Sequence, residues 1–161
     1  RPLYILGPVG VSDQVEALQR RLYPSTSVND LSFKVIFQEF TEQGFVELGP
    51  LKIESFPVIH VPESSPHGIR VMAEQKCLSF SGDTGWTDAI YEISDQADLF
   101  ICECNFYSTE SDSHLNYGKI RSEVEKLKCK HIILNHLGPE MLEKLDSVQL
   151  DCSYDGLLIE I

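Results

Sequence analysis

Three residues able to bind a metal, His60, Asp83 and His136, each follow a run of β-branched or aromatic apolar residues and stand where that run breaks: FPVIH, FSGDTG and IILNH. Such runs predict strands, and a strand that hands over to a loop holds a side chain on a rigid edge while leaving it open to a ligand. Imidazole nitrogen and carboxylate oxygen suit zinc, and a carboxylate has two oxygens with which to bridge two ions. Three ligands cannot complete two tetrahedral sites. The arms therefore read as an incomplete hydrolytic metal centre.

Periodicity predicts the elements that hold these arms. Pro2 to Leu6 reads as a strand, and Ser12 to Leu22 as a helix with Ser12 at its N-cap and Val15, Leu18 and Leu22 on one face. A hairpin-rich stretch follows: Phe33 to Phe40, Gly44 to Leu48 and Leu51 to His60, punctuated by Gly44, Gly49 and Pro50, then Ile69 to Ala73 and Cys77 to Ser81. Beyond Asp83 the rhythm becomes helix Thr87 to Ser94, strand Asp98 to Cys104, helix Asn116 to Leu127 and strand His131 to Asn135. Asn116 can cap its helix, whose Tyr117, Ile120, Val124 and Leu127 share a face. A short helix over Pro139 to Leu145 and a closing strand over Gly156 to Ile161 complete an α/β pattern.

Composition narrows the setting. The 161 residues, 42% hydrophobic, suit one domain or most of one. No apolar run approaches the about 18 residues that span a bilayer, and no basic-then-apolar leader is visible. Five cysteines form an odd set without a framework, which favours reduced thiols and a cytoplasmic location. Cys102 and Cys104 alternate along one strand and read as core residues. Acidic residues outnumber basic ones 25 to 13, for a net charge of -12, which weighs against a nucleic-acid partner.

The segments LSFSGDTGWTDAIYEISDQADLFICECNF and SHLNYGKIRSEVEKLKCKHIILNHLGPEM resemble the second half of a metallo-β-lactamase-fold hydrolase of the ribonuclease Z and phosphodiesterase branch. RPLYILGPVGVSDQVEALQRRL resembles the segment after the first metal motif of that branch, and SYDGLLIEI its closing strand. The resemblance implies an αββα sandwich, incomplete at the N-terminus, of which residues 1–161 form the C-terminal portion of a single domain. The HxHxDH run, which carries four further ligands in the family, does not occur in the chain and is expected upstream. A half-sandwich would leave an apolar face uncovered, which opens a route to homodimer formation.

The resemblance also implies roles. His60 matches the third metal motif, with Ile69 where an aromatic is usual in the return Gly68-Ile69-Arg70. His67, in the loop between them, can exchange with His60 by a register shift. Asp83 matches the aspartate that bridges two ions about 3.5–4 Å apart, and His136 matches the last ligand, with Asn135 and Gly138 where Thr and Ser are usual. His114 resembles the loop histidine that contacts the scissile phosphate or protonates the leaving oxygen, and Glu103 an acidic neighbour that can hold it. Each has a plainer reading: a hydrogen-bonded strand-end histidine for His60, a turn former for Asp83, a helix-entry residue for His136 and a solvated loop residue for His114.

The expected function is metal-dependent hydrolysis, through a metal-bridging hydroxide, of a small or cyclic-nucleotide-type phosphodiester. Zinc is the expected metal, two ions per complete site, with manganese or iron as alternatives. Catalytic roles fall to Asp83, His114 and Glu103, and metal binding to His60, Asp83 and His136. Only Gly68 to Phe80, with Arg70 and Lys76 as its basic residues, joins the third motif to GDT, so the RNA-gripping arm of bacterial ribonuclease Z has no place there. Lys126, Lys128 and Lys130 read as a solvated helix end. The alternative is a non-catalytic binding or scaffold domain that keeps the fold and some ligands.

Overall fold

The computed structural model describes residues 1–40 and 45–161, and they form two compact units, Arg1–Gly44 and Phe45–Ile161. Gly44, expected to open a strand, lies outside the described residues.

In the first unit, strands β1 (Leu3–Gly7) and β2 (Val35–Glu39) pair in parallel, with helix α1 (Val11–Leu22) between them in sequence. The helix begins at Val11, which corrects the expected Ser12 cap. Gly10 occupies the cap position at φ 85°, and its N–H donates to Glu39 Oε1 at 2.7 Å. Glycine reaches that left-handed backbone without steric cost, so the start is set by the backbone and Ser12 falls inside the first turn. The polar stretch after α1 contains a 3-10 turn, Val28–Asp30, closed by a capping box between Ser27 and Asp30.

The second unit is built on a seven-stranded sheet. Its strands are β3 (Phe45–Leu48), β4 (Leu51–Pro57), β5 (His67–Ala73), β6 (Lys76–Phe80), β7 (Leu99–Glu103), β8 (Ile132–Asn135) and β9 (Asp151–Cys152), neighbours in sequence order. From β3 to β6 the strands form an antiparallel meander, and from β6 to β9 they run parallel. The turn between β5 and β6 is two residues, Glu74 and Gln75, both left-handed at φ 49° and 68°. That geometry matches the twist of a tight hairpin, and it leaves no insertion between these strands.

Parallel neighbours need crossovers. Helix α2 (Ala89–Ser94) joins β6 to β7, α3 (Tyr117–Glu123) joins β7 to β8, and α4 (Pro139–Leu142) lies between β8 and β9. Asn116 caps α3 as expected, accepting from the Lys119 N–H at 2.8 Å. The apolar runs of β7 and β8 and the inner faces of the crossovers form the core: Phe100, Cys102, Leu134, Ile90, Ile93, Ile120 and Met141 are all fully buried. In the middle of the interior strand β5, Arg70, directly across from Glu54 on β4, donates to the carbonyls of Glu92 and Asp95 and so closes the C-terminal end of α2.

Three expectations are corrected. Strand β4 stops at Pro57, three residues before His60, because the next backbone groups leave the ladder: Val58 N–H donates to Pro66 O, and Ile59 N–H donates to Thr84 Oγ1. His67 begins β5 and pairs with Pro57, so it belongs to a strand and not to the loop. Gly156 to Ile161 forms no strand, and the sheet ends at the two-residue β9. Leu158 in that final run is 84% exposed, since no strand edge receives it among the described residues. No helix of the described residues is long and apolar enough to cross a membrane.

Candidate metal and hydrolytic site

A carboxylate buried as completely as Glu103 is stable only when its lone pairs are satisfied. Four N–H groups do this. Oε1 accepts from Thr84 N–H at 3.0 Å and from His114 Nδ1 at 2.6 Å, and Oε2 accepts from the N–H groups of Asn105 and Leu115, each at 3.1 Å. Its own N–H donates to Ser81 Oγ at 2.8 Å. One residue at the carboxyl end of β7 thereby fastens together the loop after β6, the loop after β7 and the entry to α3.

The Gly82-Asp83-Thr84-Gly85 loop is fixed from both sides. Gly82 sits at φ 65°, and a Cβ there would come within 2.7 Å of the His67 carbonyl oxygen. A Cβ at Gly85 would collide with the Asp112 carbonyl, which lies on the loop that carries His114. Thr84, fully buried, accepts from Ile59 N–H, and Gly85 N–H donates to Ile59 O at 2.6 Å. Asp83 is thus presented on a segment stitched to the residue before His60.

The three histidines stand in a row. His60 Nδ1 donates to the Ser113 carbonyl at 2.9 Å, which leaves Nε2 as its free ring nitrogen. Its ring meets that of His114 edge-on, 4.8 Å between centroids, and the opposite face of the row is a stacked contact of His114 with His136 at 5.3 Å and 18°. His136 Nδ1 lies 3.3 Å from Asp83 Oδ1. His136 also has φ 54°, a left-handed backbone that costs a non-glycine residue about 1–2 kcal/mol. Asn105 supports this bend: its Nδ2 donates to His136 O at 3.4 Å, and its carbonyl accepts from Gly138 N–H at 3.0 Å. A Cβ at Gly138 would come within 2.5 Å of that Asn105 carbonyl, which explains why no serine stands there.

Asp83, His114 and His136 each offer one ligand atom within 4.8 Å of the others. Ligands on a tetrahedral zinc with bonds near 2.0–2.1 Å lie about 3.4 Å apart. Asp83 and His136 are 37% and 39% exposed, and the pair already lies 3.3 Å apart, close to that spacing. Two imidazoles and a carboxylate are also the donor set of many catalytic zinc sites, and the residues fit a metal. His60 stands outside this group, although its Nδ1 is anchored on a backbone carbonyl as the second ring nitrogen of a ligating histidine commonly is. His114, placed by the sequence as a proton donor, is inside it.

The cysteines take no part. Burial pushes the Cys102 thiol well up and the Cys104 thiol to about 12, so neither supplies a thiolate. One residue escaped the sequence reading. Glu140, in the first turn of α4, accepts from the N–H groups of Tyr107, Ser108 and Thr109 and from Ser108 Oγ. The Ser108 hydroxyl foremost, with the loop amides, draws its carboxyl down to about 2. It clamps the loop that leads to His114 onto the helix that follows His136. The only local signal is an acidic residue after a helix-opening proline, which does not name the partner.

No protein-family model matches the chain. An uncharacterised protein of Mycobacterium leprae is 30% identical over 98 residues, 58% of this chain and 34% of that protein, so the matched stretch spans about a third of its relative. The metallo-β-lactamase fold protein YhfI of Bacillus subtilis superposes with a TM-score of 0.74 at 18% identity, over 99% of this chain and 65% of that one. Human tRNase Z, short form, gives 0.73 at 16% identity, over 99% and 68%. The chain therefore has the metallo-β-lactamase fold. Its structural neighbours include ribonuclease Z, the branch that the GDTG and His114 segments resemble.

Proposed function

We propose that this chain forms part of a metal-dependent hydrolase that cleaves a small phosphodiester, of cyclic-nucleotide type or similar size. The observation that carries the reading is the Glu103 node, which spends a fully satisfied buried carboxylate on orienting His114 beside Asp83 and His136. Asp83 and His136 would hold the metal, zinc first, with His60, anchored through Nδ1 on Ser113 O, as a further ligand from beside that cluster. His114 lies within the cluster and would be kept for the proton by its bond to Glu103. When bound, the metal supplies charge stabilisation at phosphorus and lowers the pKa of a water.

The residues themselves do the positioning. Glu103 holds the Nδ1–H of His114, so Nε2 is the nitrogen that faces the reaction and can carry a proton. As the water oxygen bonds to phosphorus its proton would pass to solvent, the ester P–O bond breaks, and His114, protonated on both ring nitrogens, gives its Nε2 proton to the departing oxygen. Ser113 O fixes His60 in the same manner. A small substrate is favoured by the two-residue β5–β6 turn, by the net charge of -12 and by Glu110 and Asp112 on the loop before His114. Five free thiols favour a cytoplasmic setting.

The test is elemental analysis of the natural polypeptide that carries this chain, beside its Asp83→Ala variant, together with hydrolysis of bis(p-nitrophenyl) phosphate. Two metal equivalents and turnover, both lost in the variant, support the proposal. A polypeptide that takes up no metal from zinc-supplemented medium overturns it and leaves a binding or scaffold domain.

A further inference from the structure

A cleft of about 580 Å³ opens beside the histidine row, sharing only His136 with it. Its walls come from the two segments that leave the last parallel strands: Leu137 and Leu142 after β8, and Tyr154 and Asp155 after β9. Among the described lining residues there is no lysine or arginine, and Asp155 is the carboxylate present. A polyanion entering here would meet repulsion with no counter-charge. Leu142 is 54% exposed and Tyr154 68%, so an uncharged ring laid against them displaces water from apolar surface.

The floor adds one directional feature. Ser153 Oγ donates to Asn135 Oδ1 at 2.7 Å; both residues line the cleft, and this bond does not use the Asn135 amide nitrogen, a hydrogen-bond donor. A flat group with a hydrogen-bond acceptor on its rim, as heteroaromatic rings have, satisfies both the leucine wall and this amide. The volume falls within the roughly 300–1,000 Å³ of small-molecule sites, and suits one such ring with a sugar-sized attachment, not an oligonucleotide.

We infer that this cleft is the subsite for the non-scissile ester group of the phosphodiester and selects an uncharged, flat, aromatic-type substituent. The inference rests on the hydrolase reading above. With phosphorus at Asp83, His114 and His136, the leaving oxygen lies on the His114 side and the retained ester passes His136 toward Leu142.

The experiment uses the metal-loaded natural polypeptide and two p-nitrophenyl phosphodiesters that share a leaving group and differ in the other ester, phenyl or methyl. The expected kcat/KM is at least about tenfold higher for the phenyl compound, and Leu142→Asp brings the phenyl-to-methyl ratio toward one. Because Leu142 is half exposed, the substitution spares the core. No preference in the wild type, or a ratio that Leu142→Asp leaves alone, overturns the subsite while the hydrolase stands. If neither ester is cleaved, the hydrolase reading fails and calorimetry decides the subsite. Phenylphosphonate binding about tenfold tighter than methylphosphonate, with the difference lost in Leu142→Asp, sustains it; equal binding, or none, overturns it.

Discussion

The two halves of the seven-stranded sheet share one ladder and do different work. In the antiparallel half, β3 to β5, strand ends point alternately up and down, so the loops are scattered between two edges, and residues such as Glu54 and Arg70 serve to hold the sheet to the end of α2. From β6 to β9 every strand points the same way, and the carboxyl ends deliver Asp83, Glu103 and His136 to one edge. Burial follows the same division. Phe100, Cys102 and Leu134 of the parallel half are sealed, whereas Phe56 and Met72 of the meander only pack against that core from partly exposed positions. Chemistry gathers where strand direction is uniform and the scaffold is most rigid.

Substitutions in matched pairs across this divide test it, beginning with the carboxylates. Glu103→Ala strands three backbone N–H groups and His114 in a buried site, and is expected to cost about 3–5 kcal/mol with loss of activity. Glu54→Ala, which removes the 3.4 Å pair with a largely buried Arg70 that keeps its bonds to the Glu92 and Asp95 carbonyls, is expected to cost less, about 1–2 kcal/mol. Urea titration of both variants reads the contrast, and equal costs would refute it. If the proposed hydrolysis holds, His114→Asn in the natural polypeptide is expected to lower its rate by about 10²–10⁴ while the unfolding midpoint barely moves; parallel losses of both would make His114 structural.

Within the core, Leu134→Ala on fully buried β8 should destabilise by about 4 kcal/mol, against about 2 for Ile53→Ala on β4, where the side chain is 9% exposed. Thermal unfolding ranks them, and the reverse order would place the stability in the meander. The smallest effect concerns pH. The folded-state carboxyl of Glu140 is lowered from 4.5 to about 2, so its contribution is complete above about 4.5 and is lost as pH falls toward 2. Glu140→Gln should flatten the acid limb of stability in that window, and an unchanged acid limb would remove the clamp from consideration.

The parallel half was legible because its signals are local. LFIC and IILN are continuous apolar runs, Asn116 precedes its helix at capping distance, and Gly-Asp-Thr-Gly demands a loop. The meander and the termini were less so. Strand β4 ends at Pro57 because Thr84, far along the chain, captures Ile59, and no window around FPVIH contains that competitor. Strand β9 is too short for alternation to show, while the apolar run after Gly156 looks like a strand and finds no strand neighbour among the described residues. The site divides similarly. The sequence singles out His60, Asp83 and His136 by residue type and place, but the proximity of His114 to Asp83 and His136, with His60 outside that group, and the four-way satisfaction of Glu103 depend on loops brought together by the fold.

Position 136 has an evolutionary reading. Its backbone would be more comfortable with glycine or asparagine, and a lineage with no use for an imidazole would gain stability by drifting to either. A histidine there is a cost renewed in every generation. Among relatives of this chain, a histidine at residue 136 should therefore mark the use of an imidazole more sharply than one at residue 60, whose backbone is not in the left-handed region.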